Sequence, residues 1–219
     1  MGTFTPGTMG AVNGKVGTLI ASKWKRTFVA RGLSAKSKKP ASLSQADHRT
    51  KFGVVTTFLG RMSELIIVGY RNTVNGNNSP MNVATKYHMA NAVKGIYPNY
   101  QIDLTKVRLS VGKDTQVESA YYRTLTAAPE RLLTLSWKVN PFKPAKTLDS
   151  DQLTVLLYSV EKDRFITFNA LALRSDLSAL IDLPDVYAGD TVHLWIFFVS
   201  EDGKLVSESE YLGLIKVLA

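Results

Sequence analysis

Few groups in this chain have the types and spacing that chemistry requires. Lys15 follows two glycines in Gly10-Ala11-Val12-Asn13-Gly14-Lys15-Val16. A phosphate-binding loop needs four residues between its glycines and a Ser or Thr after the Lys to hold magnesium, and both conditions fail. His48, His88 and His193 are 40 and 105 residues apart, with no second His or acid at the i+4 ligand spacing, so each reads as a helix-surface or strand residue. There is no Cys, which removes a disulfide framework, a thiolate metal site and a cysteine nucleophile together. A Gly-x-Ser-x-Gly nucleophile elbow is also missing. Carboxylate pairs stand at Asp149/Asp151, Asp182/Asp185 and Glu208/Glu210. General acid–base work needs two acids in one cleft with unequal surroundings, whereas these sit in loops and strand ends where solvated charge is the default. Calcium at Asp149/Asp151 would need six or more oxygens, of which the sequence displays a fragment. The expectation is a protein without catalytic residues, metal or cofactor.

The remaining chemistry is cationic. Lys15, Lys23, Lys25, Arg26, Arg31, Lys36, Lys38 and Lys39 are interleaved with Trp24 and Phe28. Cations among aromatics suit a flexible nucleic-acid strand, by phosphate neutralisation and base stacking, or a neighbouring subunit. Residues 1–51 hold ten Lys/Arg and one acid, Asp47, so the whole formal charge of +9 is matched by this segment alone. Residues 52–100 add +3 and residues 101–219 carry −3, so a basic arm precedes a near-neutral body. Trp24 itself is expected to pack into a core, with the lysines fringing the contact.

The elements that must position these groups divide the chain into three parts. Residues 1–40 form a Gly-rich arm: five glycines in the first 17 residues favour an extended path, and 15–31 reads as one or two short strands, with a hairpin turn near 22–25. SAKSKKP at 34–40 reads as a connector that Pro40 keeps out of a helix. Residues 41–100 form a helical region. Its first helix is capped by Ser42 or Ser44 and carries Phe52, Val55, Leu59, Met62, Leu65 and Ile66 on one face. A second helix is expected over 81–93 with Gly95 as its C′ residue, and 96–100 leaves in an extended path. Beyond Asp103 the period changes to two, with strands expected at 106–111, 131–139, 153–160, 165–168, 170–174, 179–183, 191–199, 205–207 and 212–218. Regular strands with no intervening helix predict an antiparallel β-sandwich over 101–219, making the chain α+β.

RLLTLSW at 131–137, QLTVLLYSV at 152–160 and DLPDVYAGDTVHLWIFFVSEDGKLVS at 182–207 resemble successive strands of a fibronectin type III-like sandwich, with a core Trp, an alternating strand ending in Tyr, and a late strand and hairpin. That resemblance implies a fold and no particular chemistry. Over the whole chain the sequence resembles a Bacteroidota family of unknown function. The carrying residues are Gly14-Lys15-Val16-Gly17 with Trp24-Lys25; Gln45, Arg49, Lys51 and Phe52; Asn91 to Pro98; Gly189 to His193; and Asp202 to Ser207. This resemblance implies a two-part protein and no assigned activity.

Three functions stay open at this level. The first is a self-assembling component of a phage-like virion, tube or filament, its arm contacting the next subunit or packaged nucleic acid. The second is a binding module whose sandwich-end loops, 141–151 and 182–190, hold a glycan or protein. The third is a monomeric nucleic-acid binder. No apolar run approaches the roughly 20 residues of a membrane span and no secretory leader is evident, so the expected product is cytoplasmic, with a homo-oligomer as its natural partner.

Overall fold

The computed structural model describes residues 2–7, 10–25, 27–35, 39–74, 76–112 and 117–218. Two compact units emerge, residues 1–46 with 75–77 and residues 47–74 with 78–219. The first is an antiparallel sheet of β1 (Gly2–Phe4), β2 (Gly14–Val16), β3 (Leu19–Trp24) and β4 (Thr27–Gly32), in the spatial order β1-β4-β3-β2. The expected hairpin is the β3–β4 pair, with Lys25 at φ +52° in its turn. The extended arm expected with one or two short strands is thus a four-stranded sheet.

Helix α1 (Leu43–Gly60) starts where the sequence places it. Ser42 Oγ accepts from the Gln45 N–H while Gln45 Oε1 accepts from the Ser42 N–H, a reciprocal capping box. The apolar spacing runs on through Met62 to Ile66, yet the helix stops at Gly60 and α2 (Ser63–Gly69) leaves at 89° to it. Val55, Leu59, Met62, Leu65 and Ile66 are buried, but Phe52 is 48% exposed. Helix α3 (Pro80–Asn91) has Ser79 as its cap and Pro80 in its first turn. It ends at Ala92, and Gly95 is not its C′ residue. Gly95, at φ +102°, lies in a hairpin of β5 (Val93–Ile96) and β6 (Asn99–Ile102), where a Cβ would stand 2.3 Å from the Asn99 carbonyl oxygen.

Seven strands follow: β7 (Tyr121–Ala128), β8 (Leu132–Lys138), β9 (Gln152–Ser159), β10 (Arg164–Phe168), β11 (Ser178–Asp182), β12 (Thr191–Val199) and β13 (Glu210–Lys216). They form one sheet in the order β11-β8-β7 and another in the order β10-β9-β12-β13, the two-sheet plan expected of a fibronectin type III-like sandwich. The fold is α+β with an antiparallel sandwich. Strand β7 was not expected. Residues 106–111 are not a strand: Lys106 ends a 3-10 turn, the Leu109 N–H goes to Ser209 Oγ and the Val111 N–H to the Gly69 carbonyl, so side-chain and loop acceptors replace a ladder. Residues 170–174 and 205–207 contribute only single bridges, at Leu173 and Val206.

Alternation along β9 and β12 divides two cores. Leu153, Val155 and Leu157, with Val192, Leu194, Ile196 and Phe198, face the other sheet and Trp137. Leu156, Tyr158, Trp195 and Phe197 face the opposite way, onto Val55, Leu59, Ile66 and Tyr70 of the helical layer. The central strands are therefore covered on both sides, which is why their sequences are apolar at nearly every position. Helices and sandwich share this second core within one unit.

Candidate interaction surfaces

The sheet of the first unit sorts its cations by face. Residues directly opposite in an antiparallel pair share a face, as do residues two apart in one strand. Lys15 lies opposite Ile20 and Ile20 opposite Arg31, so two cations flank one isoleucine on the same side as Trp24. The other side carries Phe4, Val16, Leu19, Ala21, Phe28 and Ala30, with Lys23 as its one charge among the described strand residues. Lys23 Nζ stands 5.3 Å above the Phe28 ring, and the rings of Phe4 and Phe28 are 5.9 Å apart. Lys25 Nζ donates to the Gly76 carbonyl at 3.1 Å and the Trp24 indole N–H to the Asn77 carbonyl at 3.0 Å. Lys39 is exposed before α1. Arg26, Lys36 and Lys38 lie outside the described residues. Trp24, expected in a core, is 51% exposed, because the described residues of its unit place no second layer on its sheet. Ala21 is the one fully buried apolar residue among those described there.

Several of the groups weighed for catalysis are held in hydrogen bonds and ion pairs in the second unit. His88 is fully buried, not at a helix surface: its Nδ1 meets the Ala84 carbonyl at 2.8 Å and its Nε2 accepts from the Arg108 N–H at 3.2 Å. This fixes the neutral tautomer, and burial pushes the pKa below the usual imidazole value. His193 Nδ1 is 2.7 Å from the Tyr211 hydroxyl, with its ring stacked on Trp195 and Tyr211, and burial lowers its pKa too. Asp149 and Asp151 are held by different cations, Lys143 and Arg174. Asp151 is fully buried, and desolvation raises its pKa against the pull of the Arg174 guanidinium. Arg174 also donates to the Glu118 and Ser119 carbonyls and lies 3.8 Å over the Phe198 ring. Among the described residues no group of three or more His, Cys, Asp or Glu is placed to hold a metal ion.

The loops 141–151 and 182–190 do not form one surface. Ser178 pairs with Ser136 near the end of β8, and Asp182 with Leu132 at its start, so loop 183–190 leaves from one pole of the sandwich and loop 139–151 from the other. At the first pole Lys162 binds Asp190 at 2.8 Å. At the second, the prolines at 141 and 144 bracket Phe142, which is 89% exposed. A groove of about 660 Å³ lies on the helical side near the first pole, between Gly53 and Phe58 of α1 and Ile102, Leu104 and Val160. At its mouth Asp163 accepts from Arg61 and from the Tyr158 hydroxyl at 2.9 Å, which holds its carboxyl below the usual range. Neither Phe142 nor the groove was singled out from sequence. Their signals were an aromatic between two prolines and a glycine inside a helical pattern.

Among solved structures, the twitchin kinase region from C. elegans is 14% identical, with a TM-score of 0.36 over 47% of this chain and 17% of that one. A myokine is also 14% identical, with a TM-score of 0.34 over 48% and 100% of the two chains. The fn3 domain of human collagen alpha-1(XX) is 11% identical, with a TM-score of 0.33 over 50% and 92%. No curated protein matches the sequence significantly. A family model described as a family of unknown function, DUF6266, matches residues 11–213, across both units, and the chain belongs to that family.

Proposed function

We propose that this chain is a non-enzymatic structural protein that self-assembles, as a component of a phage-like virion, tube or filament of a Bacteroidota host, with its N-terminal sheet as the assembling arm. The carrying observation is the apolar face of that sheet, which is buried at Ala21 and open along its Val16–Leu19 edge. A small sheet gains stability by packing an apolar face against a second layer, and the described residues of this unit form none. Val16 and Leu19 stand side by side on that face, 60% and 45% exposed. The outer strands β1 and β2 also carry main-chain donors and acceptors suited to a neighbour's strand.

A nucleic-acid contact in the assembled particle is supported by the Lys15–Ile20–Arg31 row on the opposite face. The fibronectin-like binding module is the second reading, supported by the exposed Phe142 loop. Light scattering and negative-stain microscopy of the full chain test the proposal. Assemblies should form as concentration rises and shrink to smaller species in Leu19→Asp, which places a charge where little in the isolated chain is disturbed. A wild-type monomer at every concentration and salt overturns it.

A further inference from the structure

The second unit carries a projecting aromatic at one pole and an unfilled apolar groove near the other. The loop that presents Phe142 is hydrogen-bonded within itself and to its surroundings. The Phe142 N–H binds Asn140 Oδ1 at 2.9 Å, the Thr147 N–H binds the Pro144 carbonyl at 2.9 Å, and Thr147 Oγ1 accepts from the Glu118 N–H at 2.9 Å. The buried Asp151–Arg174 pair anchors its base. An exposed ring on a preorganised loop costs little entropy to bury, the property of an interface anchor.

The groove has the complementary form. Its volume of about 660 Å³ exceeds the ~150 Å³ that takes up benzene in an engineered cavity, leaving room for a ring and the prolines beside it. Gly53 sits inside helix α1, where glycine is unfavourable, and a Cβ added there would meet nothing within 4 Å. No contact among the described residues requires that glycine, whereas a ring entering the groove from outside would. Charge agrees: exposed Lys146 beside the Phe142 loop and exposed Glu161 beside Val160 at the groove have no ion-pair or hydrogen-bond partner among the described residues. The eight residues of β9 separate the two features by about 25 Å along the sandwich.

We propose that Phe142 of one copy inserts into the Gly53 groove of a second copy, giving a head-to-tail contact that propagates along the sandwich axis. Different patches meet in such a contact, so it closes into a ring or extends as a filament. It rests on the self-assembly reading but uses a surface separate from the N-terminal sheet.

The test uses sedimentation velocity on the full chain in a Leu19→Asp background, which silences the sheet. The parent should still associate as concentration rises. Adding Phe142→Ala or Gly53→Leu should weaken association about thirtyfold or more, the loss of a 2 kcal/mol anchor at 1.4 kcal/mol per decade. An equimolar mixture of the two should form a dimer and stop, since one retains only the groove and the other only the aromatic. Far-UV and near-UV circular dichroism unchanged from the parent shows that both fold. A parent that stays monomeric, a Phe142→Ala chain that associates like its parent, or a mixture that remains monomeric overturns the contact. If Leu19→Asp alone abolishes assembly of the wild type, the sheet reading survives without this contact; if Phe142→Ala abolishes it and Leu19→Asp does not, the contact survives without the sheet.

Discussion

Arg174→Met is the most informative single perturbation of the sandwich. In the native chain the guanidinium binds Asp151 Oδ2 at 3.1 Å, satisfies two carbonyls of 118–119 and covers the Phe198 ring. Asp151 has no exposed surface, and its Oδ1 has no hydrogen-bond partner. Methionine keeps the apolar stem over the ring but strands a buried carboxylate, at a cost of about 3–5 kcal/mol at neutral pH. The cost should depend on pH. Burial already raises the Asp151 pKa, and without the cation it rises further. A folded pKa above the unfolded value means that the group's contribution is most favourable at low pH and is lost as pH rises through the folded pKa. The gap between Arg174→Met and wild type should therefore narrow as pH falls from 7 toward the unfolded carboxyl value of about 4. Urea unfolding followed by tryptophan fluorescence reads it, and Arg174→Met with Asp151→Leu should regain part of the loss. A variant within about 1 kcal/mol of wild type at pH 7, where a surface ion pair would fall, with a gap that does not change with pH, refutes the reasoning.

Other outcomes follow from neighbouring features. Gly53→Ala should stabilise the isolated monomer by up to about 1 kcal/mol, while Gly69→Ala should destabilise it by about 1–3 kcal/mol or more, since its Cβ would stand 2.0 Å from the Leu109 carbonyl oxygen; thermal melts of both decide. Below about pH 6.5 the unfolded chain binds a proton that buried His88 refuses, so stability is full above that pH and falls beneath it by up to about 1.4 kcal/mol per unit. Urea titrations of wild type and His88→Gln between pH 7 and 5 check this, and equal slopes would refute it. Lys15→Glu with Arg31→Glu should lower affinity for single-stranded nucleic acid and flatten its salt dependence, measured by fluorescence anisotropy, without changing the melting of the second unit.

Local chemistry was legible where local forces decide. The Ser42 cap, one of two serines offered, the β3–β4 hairpin and the strands carrying Trp137, Tyr158 and Trp195 could be read from residue order. The break after Gly60 could not, because Val55, Leu59, Met62, Leu65 and Ile66 keep helical spacing across it; the second core fixes the bend by burying both segments. Strand β7 escaped because its sequence YYRTLTAA alternates weakly, and its pairing with β8 is interrupted between Tyr121 and Thr124. Among the candidate cations, sequence spacing could not show that Lys15 and Arg31 share a face while Lys23 turns to the other, since that depends on strand register. Trp24 was misread because an aromatic in a strand normally finds a covering layer, and the described residues of its unit give its sheet none.

The helical cap over the β10-β9-β12-β13 sheet makes this sandwich inseparable from what precedes it. A fragment beginning at 101 would lay bare Leu156, Tyr158, Trp195 and Phe197, a greasy plane that invites precipitation. Unlike a bead that can be strung in tandem or grafted onto another polypeptide, the sandwich travels only with its helices, so insertions and fusions belong at the polar turns of its ends.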